Sequence, residues 1–447
     1  MQLLFGTFDI GGCIIVLLHL KIRNFGRVES ADIALDNLVI FVGNNNSGKT
    51  LIMQLIYGIR KELENFPFPV RGIRQSELNG QLLMRCDQDW FKEVEQKLNK
   101  YLDENKSRII KDIFGVPIHI GQIKAELESD EDEYFVGSAS VYQSMEAGGQ
   151  KKGISIDIRQ YKKGKNIKSF ANQVEAPSDS DAAVKETLKI VWRIILCGNN
   201  PMDSRQLFLP ASRSGLQLLY KHYFAGGAVG NLVVPVKDFL RFLQLYVEDR
   251  HLNETRSGLL QFGEEYLLHG KIIQRGEETF YADVQENREV PLHIASSMIH
   301  ELTPFVKALN AAQRIDWLYC DEVENSLHPL LQREMARWLI RMVNAGMHVM
   351  ISSHSDTMAS RLNNLFMLTH LYRETGDYKV LPDLDLMDAD LLHKDMTVSV
   401  YEFKNAKQGK TVVERLEFIN CPLMGYDFQL FGKNLDKLYD EADRITR

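Results

Sequence analysis

Several features that would classify this chain quickly are missing. Its five cysteines, Cys13, Cys86, Cys197, Cys320 and Cys421, are spread singly along 447 residues. With no C-x-x-C pair there is neither zinc-site spacing nor a disulfide framework, so a reducing, cytoplasmic location is expected. Cations are not in surplus: 53 Lys and Arg stand against 60 Asp and Glu, a net charge of −7. That excludes a uniformly basic nucleic-acid coat but leaves room for a local basic face. The opening MQLLFGTFDIGGCIIVLLHL is apolar, yet it has no Lys or Arg before Lys21 and is interrupted by Asp9. It therefore lacks the basic start of a signal peptide. Ile14 to Arg23 reads instead as a first core strand behind a loosely attached leader. No other run is apolar for long enough to cross a membrane, and no membrane partner is expected. Internal repeats and low-complexity segments are absent too.

What is present is ordinary in bulk. Hydrophobic residues at 45% and charged residues at 25% fit a soluble globular chain. The length allows two or three domains, or one large α/β domain with insertions.

The first sixty residues read strand, turn, strand, loop, helix. The apolar run VIFV leads into Gly43-Asn44-Asn45-Asn46-Ser47-Gly48-Lys49-Thr50, followed by Leu51 and a helix through Phe66. This is G-x-x-x-x-G-K-[ST], the phosphate-binding loop. Backbone N–H groups freed by glycines, together with a helix N-terminus, encircle phosphates. Lys49 would reach the β- and γ-phosphates of ATP, and the Thr50 hydroxyl would ligate Mg2+. A strand before the loop and a helix after it are the context the motif requires.

Two further segments carry chemistry. Trp317-Leu318-Tyr319-Cys320-Asp321-Glu322 is an apolar strand ending in paired carboxylates. Asp321 can hold Mg2+ opposite Thr50, and Glu322 can orient or deprotonate an attacking water. Val349-Met350-Ile351-Ser352-Ser353-His354 is a second short strand, and His354 at its end can donate to a γ-phosphate. The expected catalytic set is Lys49, Glu322 and His354.

Between these segments, Asp89 to Phe114 reads as an amphipathic helix, and the acidic run Glu126 to Glu133 as a solvated loop. ISIDIRQY and IKSF, joined by KKGKN, read as a hairpin. Lys151, Lys152, Arg159, Lys162, Lys163, Lys165 and Lys168 gather on and beside it, as a charged solvated surface or as phosphate contacts for DNA. Residues 181 to 250 look mainly helical. Short β segments then lead to a helix at Ser296, and strand and helix alternate from Trp317. Five units are expected: 1–70 and 291–375 as the two ATPase lobes, 71–185 and 186–290 as inserted and connecting regions, and 376–447 as a small C-terminal α/β tail. The acids of DLDLMDAD, 383–390, read as a loop.

GNNNSGKT, DEVENSLHP and ISSHSD, in that order, resemble the ATP-binding-cassette branch of P-loop ATPases. More narrowly they are similar to RecF/SMC-like and overcoming-lysogenization-defect (OLD) ATPase heads, as are NFG at 24–26 and LPASRSG at 209–215. The similarity covers roughly residues 17–65 and 290–370. It implies a mixed sheet with flanking helices, an antiparallel β subdomain and a helical and β insertion. It also implies a head-to-head dimer around two ATP molecules, each site completed by a signature segment of the other subunit. Ala295 to Leu302 occupies that place, with Ser296 matching the serine that meets the partner's γ-phosphate. The expected glycines are replaced by Ser297 and Met298, a departure that bears on turnover. Glu324 to His328 would form the loop at the dimer interface. Arg213 is a candidate nucleotide or interface contact, or else a surface ion pair, and no glutamine stands out as a Mg2+-sensing residue. A separate metal-dependent nuclease domain is not visible in the sequence. The resemblance therefore implies a sensor or scaffold that controls a separate effector, such as a nuclease or toxin, in antiphage defence or a toxin–antitoxin module. The alternatives are a RecF-like repair ATPase on DNA, or an OLD-like nuclease with an unrecognised metal site.

Overall fold

The computed structural model describes residues 16–428 and 444, apart from 70–73, 79–80, 147–148, 175–179, 198–204, 226–231, 277, 285–287, 377–378 and 407–408. The leader, Cys13 and most of the last nineteen residues lie outside the described residues. Nine strands form the central sheet: β1 (Leu17–Phe25), β2 (Val28–Ala34), β3 (Leu38–Gly43), β4 (Gln122–Glu128), β5 (Arg205–Leu209), β6 (Ile315–Cys320), β7 (His348–Ser353), β8 (Val398–Asn405) and β9 (Thr411–Leu416). Their order across the sheet is β5-β6-β7-β3-β8-β9-β2-β1-β4. From β5 to β8 neighbours are parallel, whereas β8–β9, β2–β1 and β1–β4 pair antiparallel. The fold is mixed α/β, as expected.

Strand β3 is buried at all six positions, as a parallel strand covered on both faces must be. Its alternate residues feed two cores, Val39 and Phe41 on one face and Leu38, Ile40 and Val42 on the other. The first core packs under α1 (Lys49–Leu63), α2 (Gln88–Phe114) and α3 (Ser180–Cys197). On this side lies a second, antiparallel sheet of five strands, including the hairpin Gly149–Lys162 and Lys165–Val174. The other face is covered by α4 (Arg213–Ala225), α5 (Val234–Gln244), α6 (Glu254–Phe262), α7 (Ser297–Asn310), α8 (Pro329–Asn344) and α9 (Asp356–Thr375).

From the region read as a small C-terminal α/β tail, β8 and β9 lie inside the central sheet, with Phe403 paired to Gly43. Likewise β4 comes from the inserted region, and β5, from a stretch read as mainly helical, forms the sheet's outer strand. The acidic run is not a free loop. Glu126 and Glu128 belong to β4 and pair with Lys21 at 2.7 Å and His19 at 2.7 Å, while buried Glu133 meets Lys162 at 2.7 Å. Among the described residues no helix is long and apolar enough to cross a membrane.

Candidate functional site

The loop after β3 needs its glycines. At Gly43, φ is +150° and an added Cβ would stand 2.8 Å from Phe403 Cβ and 2.9 Å from the Phe403 carbonyl oxygen. At Gly48, φ is +99° and a Cβ would meet Val28 at 2.8 Å. Asn46 also takes a left-handed φ of 59°, which asparagine tolerates better than most residues. Gly48 is the N-cap of α1 and offers no side-chain cap, so the first N–H donors of the helix are left facing the loop.

Lys49 is buried, and its ammonium donates to the carbonyls of Gly43 at 2.8 Å and Asn44 at 2.9 Å. The Ser47 hydroxyl and His354 Nδ1 each lie 3.4 Å away. Among the described residues no carboxylate hydrogen-bonds this ammonium, and burial lowers its pKa to about 8. The Thr50 hydroxyl donates to both oxygens of Asp321, at 3.0 and 2.8 Å. The Ser352 hydroxyl donates to Asp321 Oδ1 at 2.6 Å and accepts from the Glu322 N–H at 2.9 Å. Asp321 is 3% exposed, and burial pushes its pKa up, although the Ser352 and Thr50 hydroxyls oppose the shift. His354 Nε2 stands 3.7 Å from Glu322 Oε1, and its backbone N–H donates to Glu324 at 2.5 Å.

Three segments far apart in sequence therefore meet at the carboxyl edge of β3, β6 and β7, where open α/β sheets bind ligands. Glu322 adopts φ of 48°. A non-glycine residue held there stores of order 1–3 kcal/mol of strain, a feature concentrated at functional sites. A lysine among neutral oxygens and a buried carboxylate flanked by hydroxyls fit a triphosphate and a divalent cation, which would neutralise both.

Arg213 has a different place from the one expected. It is 1% exposed, so it is not a surface ion pair. Its guanidinium lies 2.7 Å from Glu301 on α7 and donates to the carbonyls of Asp321 at 2.9 Å and Glu322 at 3.2 Å. By holding those two carbonyls it clamps the turn that carries the two acids. Ser296 stands apart from the cluster. It is exposed at the N-cap of α7 and makes no capping hydrogen bond. No described side-chain hydrogen bond joins it to Lys49, Thr50, Asp321, Glu322 or His354. His328 caps α8, accepting from Leu330 N–H at 3.4 Å.

Sequence reasoning passed over Arg27, and it gave Ser352, Glu301 and Glu324 no role of their own in the site. Arg27 donates to the Asn46 carbonyl at 2.6 Å and so braces the loop. The signal for it was its position directly after Asn24-Phe25-Gly26. Ser352 was quoted within the strand before His354 without a role. Asp390 is fully buried between Arg337 at 2.9 Å and Arg341 at 2.7 Å, so its carboxylate is engaged within the fold. On the hairpin, Lys162 and Arg159 are paired with acids, Arg159 with Asp157 at 3.1 Å. The side chains of Lys151 and Lys152 lie outside the described residues.

Among curated proteins none matches the chain. Among solved structures, the chain is similar to an SMC head domain from Thermotoga maritima, at 11% identity and TM-score 0.34, over 90% of this chain and 99% of that one. An SMC head bound to the C-terminal winged-helix domain of ScpA gives 10% identity and TM-score 0.37, over 91% and 99%. An SMC head with an extended coiled coil, bound to the C-terminal domain of ScpA derived from Pyrococcus furiosus, gives 10% and 0.36, over 97% and 100%. Residues 17–189, which include the loop from Gly43 to Thr50 but not Asp321 or His354, match the AAA ATPase domain family.

Proposed function

We propose that the protein binds and hydrolyses ATP at this site, with Mg2+, as a nucleotide-gated switch. The observation that carries the reading is the meeting of Lys49, Thr50, Asp321, Glu322 and His354 around one phosphate-binding loop. The loop from Gly43 to Leu51 cradles the phosphates, and Lys49 supplies the charge they need. Thr50 and Asp321 would hold Mg2+, which neutralises charge on the triphosphate. Glu322 takes the proton of the attacking water, and His354, steered by Glu324 through its N–H, donates to the γ-phosphate. Glu322→Gln tests this: the variant should bind ATP while hydrolysis falls by roughly 100-fold or more, the usual share of a general base. Turnover at the parent rate would overturn the assignment of Glu322.

The finer reading rests on the resemblance of the motifs. ATP binding closes a twofold head-to-head dimer through Ser296 and the Glu324–His328 loop, and hydrolysis or release reopens it. The switch then acts as sensor or scaffold for a separate effector, such as a nuclease or toxin, in antiphage defence. Copurification with the products of neighbouring genes, with and without ATP, tests that role. The ion pairs that occupy Lys162 and Arg159 weaken the reading as a DNA-binding repair ATPase.

A further inference from the structure

The imidazole of His354 is held loosely by its own contacts. Nδ1 lies 3.4 Å from Lys49 and Nε2 3.7 Å from Glu322, both beyond the usual range for a hydrogen bond between such groups. The backbone that carries the ring therefore has to aim it. That backbone leaves β7 at Ser353 and enters α9 at Asp356, and it is tied on both sides of the ring. At His354 itself, the N–H donates to Glu324. One residue on, the Ser355 hydroxyl donates to the side-chain oxygen of Gln332 on α8. The same hydroxyl accepts from the Met358 N–H as the N-cap of α9.

Gln332 also reaches back toward the acids. Its side-chain nitrogen donates to the Leu327 carbonyl at 2.9 Å, in the turn before α8. Its backbone N–H is satisfied within the helix by the His328 carbonyl at 3.0 Å, so the side chain is not needed for that. Gln332 is 9% exposed, and water competes little for either bond. The chemistry of the two partners selects an amide. A backbone carbonyl can only accept, so the nitrogen must face Leu327 and the oxygen must face the Ser355 hydroxyl. A glutamate could serve the hydroxyl alone, and an apolar side chain could serve neither.

We propose that Gln332 is a positioning residue for hydrolysis, tying the Glu324–His328 loop to the turn that carries His354. The inference rests on the ATPase reading above and adds a dependence to it: the ring is placed by wherever that loop sits. Glu324 makes the matching connection from inside the loop. A misplacement of about 1 Å at a reacting centre can cost about a hundredfold in rate, so a linkage of this kind makes turnover conditional on the loop.

One arm of the test needs no nucleotide. In the proton–carbon correlation spectrum of the full-length protein, the His354 imidazole resonance is identified by its loss in His354→Ala. Gln332→Met removes both bonds at nearly constant volume and should displace that resonance. Arg333→Gln, at an exposed neighbour on the same helix, should leave it in place. The second arm is steady-state hydrolysis. Gln332→Met should lower kcat on the order of tenfold to a hundredfold with KM for ATP little changed, and Gln332→Glu, which keeps the acceptor for Ser355, should fall between it and the parent. In a His354→Ala background Gln332→Met should add less than about twofold, because two residues acting through one group are not additive. Circular dichroism and the urea midpoint establish that each variant is folded. An unmoved resonance, a parental kcat in Gln332→Met, or a loss that multiplies with that of His354→Ala would overturn this inference and leave the ATPase reading standing. A parent protein that hydrolyses no ATP would overturn both.

Discussion

Lys49 sits among neutral oxygens, and that has a consequence in pH. Burial lowers its pKa to about 8, while an unfolded chain restores the ordinary lysine value. Above about pH 8 the unfolded state therefore holds more protons than the folded one, and this residue's contribution to stability improves as pH rises. For nucleotide the sign reverses, because phosphates favour the charged ammonium. ATP affinity should be full below about pH 8 and decline above it, by up to about tenfold per unit. Binding of a fluorescent ATP analogue from about pH 7 to about pH 9.5 would check this, and a flat profile would contradict it. Arg213 supports a second prediction. Removing one member of a buried charge pair costs about 3–5 kcal/mol, so Arg213→Met should lower the urea midpoint markedly and impair hydrolysis through the loosened Asp321–Glu322 turn. At this scale the sequence was most readable where local chemistry is self-announcing, as in Gly43 to Thr50. It was least readable for Arg213, whose partners Glu301, Asp321 and Glu322 lie 88 to 109 residues away.

Among the elements, α1 is the one most tightly constrained. Gly58 lies in its buried face, and a Cβ there would stand 2.3 Å from Ile113 on α2. Gly58→Val should force the two helices apart and destabilise the fold by about 1–3 kcal/mol, as overpacking does; denaturant unfolding measures it. Helices such as Gln88–Phe114 were visible in sequence because their apolar period is local. Strand pairing was not, because register is fixed by partners distant in the chain. RQLFL lies in a stretch that read as mainly helical, yet beside β6 it is a parallel strand. VSVYEFKN alternates like a half-exposed strand, yet five of its eight residues are buried beside β3. Glu402 is carried inside by that pairing, where Lys404 meets it at 3.3 Å, and this disguised the strand as part of a tail.

At the scale of the whole molecule, the proposed dimer would meet through Ser296 at the start of α7 and the Glu324–His328 loop. In the closed assembly we propose, Glu322→Gln with ATP should sediment as a dimer, and Ser296→Arg should remain monomeric while still binding ATP. Sedimentation velocity with and without ATP checks both. A Ser296→Arg variant that dimerised as readily as its parent would remove α7 from the interface. Since Ser296 is exposed and caps nothing, its replacement should leave the protomer's stability within about 0.5 kcal/mol.

The position of β8 between β3 and β9 has one more consequence, for biosynthesis. A growing polypeptide that has emerged as far as Ser355 already owns every side chain that would touch the triphosphate. Strand β3 nevertheless has a bare flank until residues 398–405 leave the ribosome and slot in beside it. Gly43 then acquires Phe403 as its neighbour, and the loop its final curvature. Nucleotide capture should thereby wait until residues 398–405 have emerged, and a product stalled before them should be unable to sequester ATP.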